Sequence, residues 1–377
     1  MSSGRLTPRT VIVQAHRWSG AVSFVFLFLV SFSGILAGFT GAIMQMQYGS
    51  VVSPPAPPAG SHYANVDDLL KTVRDGYGPG FTPRVILMER TRFEVEAALV
   101  FGAATEDGGT ARSVGVALDP YRNTYLGAFH TDESWVRFII SFHDSFLLGE
   151  NGKITVALLG VILIFFAATG IYQWWPRQGK PWRKATTLKL FGSRYGKLFQ
   201  LHGLVGLWSI PFVVIWAFTG AYLLKPDWFG NMLPRLASEP PPAVVSEFTA
   251  PCQGGSVSPG EAAARGQAAF PNTRFTSLMM PSDERPYYGL TFERHGDYDK
   301  LRGDIRAWVS SVCIDSIHTH ELDYSAIRAS LGAMVSSIHF GHTFGWFGTP
   351  VIVMTGLMIC VGSVVGFLVW WMGVFGR

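Results

Sequence analysis

Residues 202–224 read HGLVGLWSIPFVVIWAFTGAYLL, an ionisable imidazole at the head of an apolar run of membrane-spanning length. A second copy of the pattern begins at His16. In both copies a glycine follows the histidine by four residues (Gly20, Gly206), and a Ser/Thr-Gly pair ends eighteen residues on (Ser33-Gly34, Thr219-Gly220). Eighteen steps make five whole helical turns, about 27 Å, so the histidine and the distant glycine share one face. A buried histidine with small residues on its own face suits a flat metal-bearing ring, because imidazole ligates the metal and missing side chains admit the ring. Glycines also serve simply to let helices approach, and a lone histidine is as often a satisfied core group. Two copies with matched spacing favour heme.

The 377 residues are 48% hydrophobic, 14% aromatic and only 15% charged, too apolar for an ordinary soluble domain. Four runs reach the roughly 20 apolar residues a bilayer core demands: Val11–Thr40, Lys153–Trp175, Leu198–Leu224 and Thr349–Trp371. The net charge of +4 says little, but its distribution is informative. All 26 acidic residues fall in two blocks, Asp67–Glu150 and Asp227–Asp323, whereas residues 176–197 hold seven bases and no acid, and Arg5, Arg9 and Arg17 mark the amino terminus. By the positive-inside rule both termini and the basic loop are expected in the cytoplasm and the two acidic blocks outside. The first apolar run is longer than a signal peptide's core and lacks a small-x-small cleavage site, so it is expected to stay as a span.

Each exported block reads as a small α+β domain. In the first, Asn65 caps a helix to Asp75, and strands are expected at Arg84–Glu89, Glu94–Phe101, Val114–Leu118 and Thr124–Phe129, with a turn at Asp119-Pro120-Tyr121-Arg122-Asn123. In the second, Pro-rich residues 234–242 lead to a helix at Pro259–Phe270 and strands at Thr273–Met280, Tyr287–Phe292 and Ile305–Ile314. Neither block holds a catalytic constellation.

After each block the same signals recur. His143, Gly149, Gly170 and Trp174-Trp175 are matched by His339, Gly345, Gly366 and Trp370-Trp371 at a constant offset of 196, which Asp119 and Asp315 share. This spacing reads as a duplication. Two like-oriented halves are expected to pack about an axis along the membrane normal, setting His16 beside His202 at one depth and His143 beside His339 at another. Gly34 and Gly220 then fall near the outer pair, whose histidines are expected on short surface helices. The expected fold is an α-helical membrane protein with four transmembrane helices in two tandem repeats and two periplasmic α+β domains. Its segments are 1–49 (first span), 50–132 (first domain), 133–176 (surface helix and second span) and 177–197 (cytoplasmic loop). They continue with 198–224 (third span), 225–325 (second domain) and 326–377 (surface helix and fourth span).

Other residues compete. His342 rivals His339, but its mate under the offset is Phe146, which cannot ligate. His318 and His320 form an HxH pair that would suit a metal if it lay on a strand, against an ordinary polar loop. His62, His130 and His295 read as surface residues, and Met44, Met46, Met279 and Met280 as packing. Cys252 and Cys313 share an exported block where a disulfide is permitted, while Cys360 reads as an apolar filler. No CxxCH is present, so heme is expected as b-type. Arg17, Arg194 and Lys197 are candidates to neutralise inner propionates, Arg137 and Arg328 outer ones.

HRWSG (16–20), FHDSFLLGENGK (142–153), GIYQWWPR (170–177), HGLVGLW (202–208) and IHFGHTFG (338–345) resemble motifs of the PepSY-associated transmembrane family over almost the whole chain. Within it the chain is most similar to ferric-siderophore reductases of the FoxB type. That resemblance implies an oxidoreductase of the bacterial inner membrane with two non-covalent hemes on His16, His202, His143 and His339, reducing siderophore-bound ferric iron in the periplasm so that iron is released. The donor is expected to be a separate cytoplasmic partner or a quinol, since no GxGxxG follows a strand in either exported block; lipid surrounds the spans and no nucleic-acid partner is expected. The alternatives are a heme-free transporter or binding module for siderophore or peptide, with the histidines as a proton relay, and a di-heme carrier serving another periplasmic acceptor.

Overall fold

The computed structural model describes residues 7–89, 95–105, 110–175, 192–230, 232, 240–250, 252, 255–297, 303–321 and 327–376. Of the basic loop 177–197 expected in the cytoplasm, residues 177–191 lie outside the described residues, and Arg194–Lys197 form the first turn of the helix that follows. Two compact units emerge, one of residues 1–38, 139–230 and 338–377, the other of residues 39–138 and 231–337.

The first unit is built on four helices long and apolar enough to cross a membrane: α1 (Pro8–Ala37), α5 (Gly149–Trp174), α6 (Arg194–Leu224) and α10 (Gly348–Phe375). At 26 to 31 residues each, they run about 39–46 Å, more than the hydrocarbon core requires. α1 starts where Thr7 accepts from the Thr10 N–H with Pro8 in the first turn, and α6 where Ser193 accepts from the Gly196 N–H. Small residues bring the helices close, as they must where lipid provides no hydrophobic drive. A methyl on Gly160 of α5 would meet the Ala217 carbonyl of α6 at 2.9 Å, and one on Gly356 of α10 would overlap Ile35 of α1. Lys225, just past the end of α6, pairs with Glu150 in the first turn of α5.

Two shorter helices carry histidines toward this unit. α4 (Trp135–Ser145) ends just past His143, and α9 (Ile327–His339) ends on His339. Phe146 and Leu147 adopt positive φ of 48° and 63° between α4 and α5, and Gly341 of 81° between α9 and the 3₁₀ turn His342–Phe347. Each histidine-bearing helix is thereby broken off from the span that follows.

The second unit holds an eight-stranded antiparallel sheet in the order β4-β3-β2-β1-β5-β6-β7-β8. Its strands are β1 (Phe81–Leu87), β2 (Ala98–Ala104), β3 (Arg112–Asp119), β4 (Thr124–His130), β5 (Arg274–Met279), β6 (Tyr287–Glu293), β7 (Ile305–Ser310) and β8 (Ile317–Glu321). The segments expected as separate domains thus contribute four strands each to one sheet, joined where Ile86 of β1 faces Leu278 of β5. Both are fully buried, so the pairing removes two open edges and their solvation problem together. Helices α3 (Val66–Tyr77) and α8 (Pro259–Ala269) pack Val66, Leu69, Val73 and Ala262 into a core with Ile86, Val100, Val116, Leu118, Leu278, Leu290 and Phe292. Their amino termini are tied together, because Asp67 of α3 accepts from the Ser258 hydroxyl at 2.7 Å and the Gly260 N–H at 2.8 Å. Two further helices, α2 (Thr40–Tyr48) and α7 (Pro242–Phe248), complete the unit. Cys252 and Cys313 are joined in a disulfide, Cα to Cα 5.2 Å, closing a separation of 61 residues.

Three local expectations shift. β2 starts later than expected because Val95 and Ala97, though buried, precede the ladder that opens at Ala98. The expected strand Ile305–Ile314 stops at Ser310, whose hydroxyl accepts from the Val312 and Cys313 N–H groups and turns the chain. The HxH segment then forms β8, a polar edge strand.

Candidate paired-histidine site

His16 lies two turns into α1 and His202 two turns into α6; their ring centroids are 6.3 Å apart. His16 Nδ1 is 2.7 Å from Thr169 Oγ1 on α5, and that hydroxyl gives its own proton to the Phe165 carbonyl at 2.7 Å. The threonine oxygen is therefore an acceptor toward the ring, and the proton sits on Nδ1. His202 Nδ1 is 3.1 Å from the Gly362 carbonyl on α10, which can only accept.

The second pair repeats the scheme from the short helices. His143 of α4 donates from Nδ1 to the Val30 carbonyl on α1 at 2.9 Å, with Ser33 Oγ at 3.3 Å. His339 of α9 donates from Nδ1 to Thr219 Oγ1 on α6 at 2.9 Å, the threonine hydroxyl again being spent on its own helix, on the Ile215 carbonyl at 2.8 Å. These two rings are 6.4 Å apart. It is His339, not His342, that faces His143.

All four imidazoles thus hold their proton on Nδ1 and keep the Nε2 lone pair, the arrangement in which a helix oxygen fixes tautomer and orientation and the outer nitrogen ligates. With metal–imidazole bonds of about 2 Å, two rings on opposite sides of one metal ion have centroids roughly 6 Å apart. Both pairs meet that spacing. A porphyrin supplies the remaining ligands itself, so a pair of histidines is all the protein must provide. From His16 to the Val30–Gly34 segment that holds His143 is 14 to 18 residues of one helix, about 21–27 Å.

The glycines divide by task. A methyl on Gly34 would meet His143 Cε1 at 2.9 Å, on Gly220 His339 Cε1 at 3.0 Å, and on Gly366 His202 Cε1 at 2.8 Å. These residues make room for the imidazoles themselves, where the sequence suggested room for a flat ring. Gly206, by contrast, has open space beside it and Gly20 has only Phe166 Cζ at 4.0 Å, which leaves them as the positions where a ring could lie. The hydroxyl acceptor Thr169 and the Gly362 carbonyl were not singled out from sequence. Thr219 and Ser33 were visible there as halves of Ser/Thr-Gly pairs, and Thr169-Gly170 is a third such pair; the fourth position is Val365-Gly366, so His202 turns to a backbone carbonyl instead.

Arg137, Arg194 and Lys197 are exposed, Arg17 is half-buried, and the Arg328 side chain lies outside the described residues. His318 and His320 do share one face of β8, but His318 stacks on Trp308 and His320 stands opposite Arg306. Among the described residues no cluster of three or more His, Cys, Asp or Glu is poised around a metal. Cys360 is buried in α10, its Sγ 3.7 Å from the Phe28 carbonyl. Met279 accepts from Arg285 at 2.8 Å, Met44 is buried and Met46 is exposed.

Residues 13–372 match the family model described as the PepSY-associated TM region. Among curated proteins, the uncharacterized protein PA4219 of Pseudomonas aeruginosa PAO1 is 33% identical over 87 residues, 22% of this chain and 20% of that protein. The chain's match thus spans about a fifth of that relative.

Proposed function

The chain belongs to the PepSY-associated TM region family, and from that premise we propose that it is a di-heme b protein of the bacterial inner membrane, reducing ferric siderophore in the periplasm. The observation that carries this reading is the pairing of four histidines at 6.3 and 6.4 Å, each with its Nδ1–H committed to a neighbouring helix. His16 with His202, and His143 with His339, would each hold one heme, which would supply a one-electron Fe(III)/Fe(II) couple.

The protein's own share is positioning. Thr169, Thr219, Val30 and Gly362 hold the imidazoles in one tautomer, and Gly34, Gly220 and Gly366 let the ring-bearing helices dock. Four apolar helices keep water from the pairs, and the separation along α1 would carry charge across most of the hydrocarbon thickness. The basic segments at the amino terminus and before α6 support cytoplasmic placement of that end, and the Cys252–Cys313 disulfide suits the sheet unit to an oxidising compartment.

We read the two halves as a duplication. The sheet order is the same outward from its β1–β5 centre in both directions, and each half uses its second span to hold the first span's histidine and its first span to hold the short helix's histidine. A like-oriented pair of halves accounts for both. The electron donor is a separate partner, cytoplasmic or quinol.

The test is stopped-flow reoxidation of the dithionite-reduced protein by a panel of ferric siderophores, their gallium analogues and oxidised dithiols. One electron should leave per ferric ion, and the gallium complexes should leave the reduced spectrum unchanged. Reoxidation by dithiols alone would replace the iron assignment with a thiol one.

A further inference from the structure

Within the sheet unit, three side-chain oxygens converge. Tyr121 donates its phenol proton to Glu89 Oε1 at 2.6 Å, and the Tyr63 hydroxyl aims at that same oxygen from 3.5 Å. The two phenol rings have centroids 5.1 Å apart, and Tyr63 interacts with both the Tyr121 phenol and the Arg274 guanidinium. Tyr63, Glu89 and Tyr121 are all half-buried, so the cluster is open to solvent on one side and fixed by the fold on the other.

Separate segments bring these oxygens together through bonds that leave the oxygens themselves free to ligate. Glu89 lies just beyond β1, where the Met88 N–H is taken by the Thr276 carbonyl at 2.9 Å and Arg274 Nη1 donates to the Glu89 carbonyl at 3.0 Å. Arg274 is held in turn by Glu293, Nε to Oε2 at 3.0 Å. Tyr121 sits in the turn between β3 and β4, its N–H accepted by Asp119 Oδ1 at 2.9 Å. Tyr63 stands just before α3, and the next residue, Ala64, donates its N–H to the Pro120 carbonyl of that turn at 2.8 Å. A site preset by backbone bonds of this kind need not be assembled by its ligand.

We propose that Tyr63, Tyr121 and Glu89 form a ferric-ion site on the sheet unit. Phenolate and carboxylate oxygens are hard donors, and they ligate only when deprotonated. A phenol with its ordinary pKa of about 10 keeps its proton at neutral pH against a divalent ion such as Mg²⁺ or Ca²⁺, whereas a trivalent cation is acidic enough to displace it. Two phenolates and a carboxylate together match the charge of Fe(III) and exceed that of Fe(II). Oxygens side by side on an octahedral cation with bonds of about 2.0–2.1 Å lie about 2.9 Å apart, and the separations of 2.6 and 3.5 Å bracket that value. On binding, the ion displaces the two phenol protons to solvent, takes the carboxylate as it stands, and stays ferric. Its remaining positions go to water or to oxygens of the chelator that delivers it, and Arg274 beside Tyr63 suits an anionic one. The site asks nothing of the histidine pairs and goes beyond the heme reading.

The test dialyses the full chain in detergent against ferric nitrilotriacetate and counts iron per chain after heme iron is subtracted. Wild type should take up one non-heme ferric ion, with a high-spin ferric signal separate from low-spin heme and tyrosinate modes in resonance Raman. Gallium(III) should compete for it and Mg²⁺ should not. Tyr63→Phe and Tyr121→Phe should each weaken binding by at least about 100-fold, since loss of even an outer-shell partner costs about 10- to 100-fold, and Tyr125→Phe, outside the cluster, should change nothing. Wild type without non-heme iron, or with iron that shows no tyrosinate modes, would overturn the site, and neither result needs a variant to fold. Iron held equally well by both cluster variants would overturn it too, as adventitious binding elsewhere. A chain that binds this iron but no heme would keep the site and remove the di-heme reading; two hemes with no tyrosinate-bound iron would do the reverse.

Discussion

Each facing imidazole spends its Nδ1–H on an oxygen of a neighbouring helix, and the consequence differs with the oxygen. Thr169→Val leaves the His16 N–H without a partner in an apolar setting, so the inner heme should bind about 10- to 100-fold more weakly, read as heme retained after dilution. Thr219→Val should do the same to the outer heme. Ser33→Ala should change little, because the Val30 carbonyl remains the acceptor at 2.9 Å; an equal loss in Ser33→Ala and Thr219→Val would show that the hydroxyls do not act as argued. The glycines give a steric version of the test. Gly34→Ala and Gly366→Ala place a methyl at 2.9 and 2.8 Å from an imidazole carbon and should cost about 1–3 kcal/mol of stability by overpacking, whereas Gly170→Ala, with 3.9 Å available, should be tolerated. His16, His202, Gly34 and Gly220 were legible in the sequence because eighteen residues are five whole turns, and His143, His339 and Gly366 because their surroundings repeat at an offset of 196. Thr169 was not singled out, since its partner lies 153 residues away; its one local signal is the Thr169-Gly170 pair, which matches Ser33-Gly34 and Thr219-Gly220.

At the scale of elements, the spans and the Asn65 cap could be read directly, and Asn65 does accept from the Asp67 N–H; the capping box that Ser258 closes with Glu261 at the start of α8 was not read. The turns show where reading by offset runs out. Asp119 and Asp315 share the offset, yet Asp315 is exposed, and it is Ser310 at the end of β7 that repeats the work Asp119 does at the end of β3. Asp119 Oδ1 accepts from the Tyr121 and Arg122 N–H groups while Oδ2 takes Arg122 Nη1 at 2.8 Å. Burial pushes this carboxyl up, but the Arg122 guanidinium and the two N–H groups outweigh it and hold it below the usual carboxylate range. A depressed carboxyl stabilises the fold above its unfolded value and ceases to as pH falls through its folded one. Asp119→Ala should therefore lower stability by about 2 kcal/mol at neutral pH, with the difference from wild type shrinking only below the ordinary carboxylate range. Thermal unfolding of both proteins across pH measures it, and a constant difference down to pH 2 would refute the ionised turn. β8 escaped notice for a related reason: as an edge strand, its IHTHE sequence carries the polar residues that shield an unpaired edge and so resembles a loop.

For the whole molecule, the sequence pointed to four spans and to two intervening segments expected to be exported, and the spans follow from composition alone. That the segments share one sheet was not legible, because antiparallel pairing of β1 with β5 joins residues nearly 200 positions apart and neither strand announces which edge it will seek. The central claim is that the first unit holds two separate bis-histidine heme sites, and the most direct measurement is heme per chain with the low-spin ferric signal, for wild type and single histidine variants. Wild type should carry two low-spin hemes. His16→Ala or His202→Ala should each leave one, with the same residual spectrum; His143→Ala or His339→Ala should leave the other, and His342→Ala should keep both, as only His339 faces His143 at 6.4 Å. Two low-spin hemes surviving in all four pair variants, or none in wild type, would contradict the account.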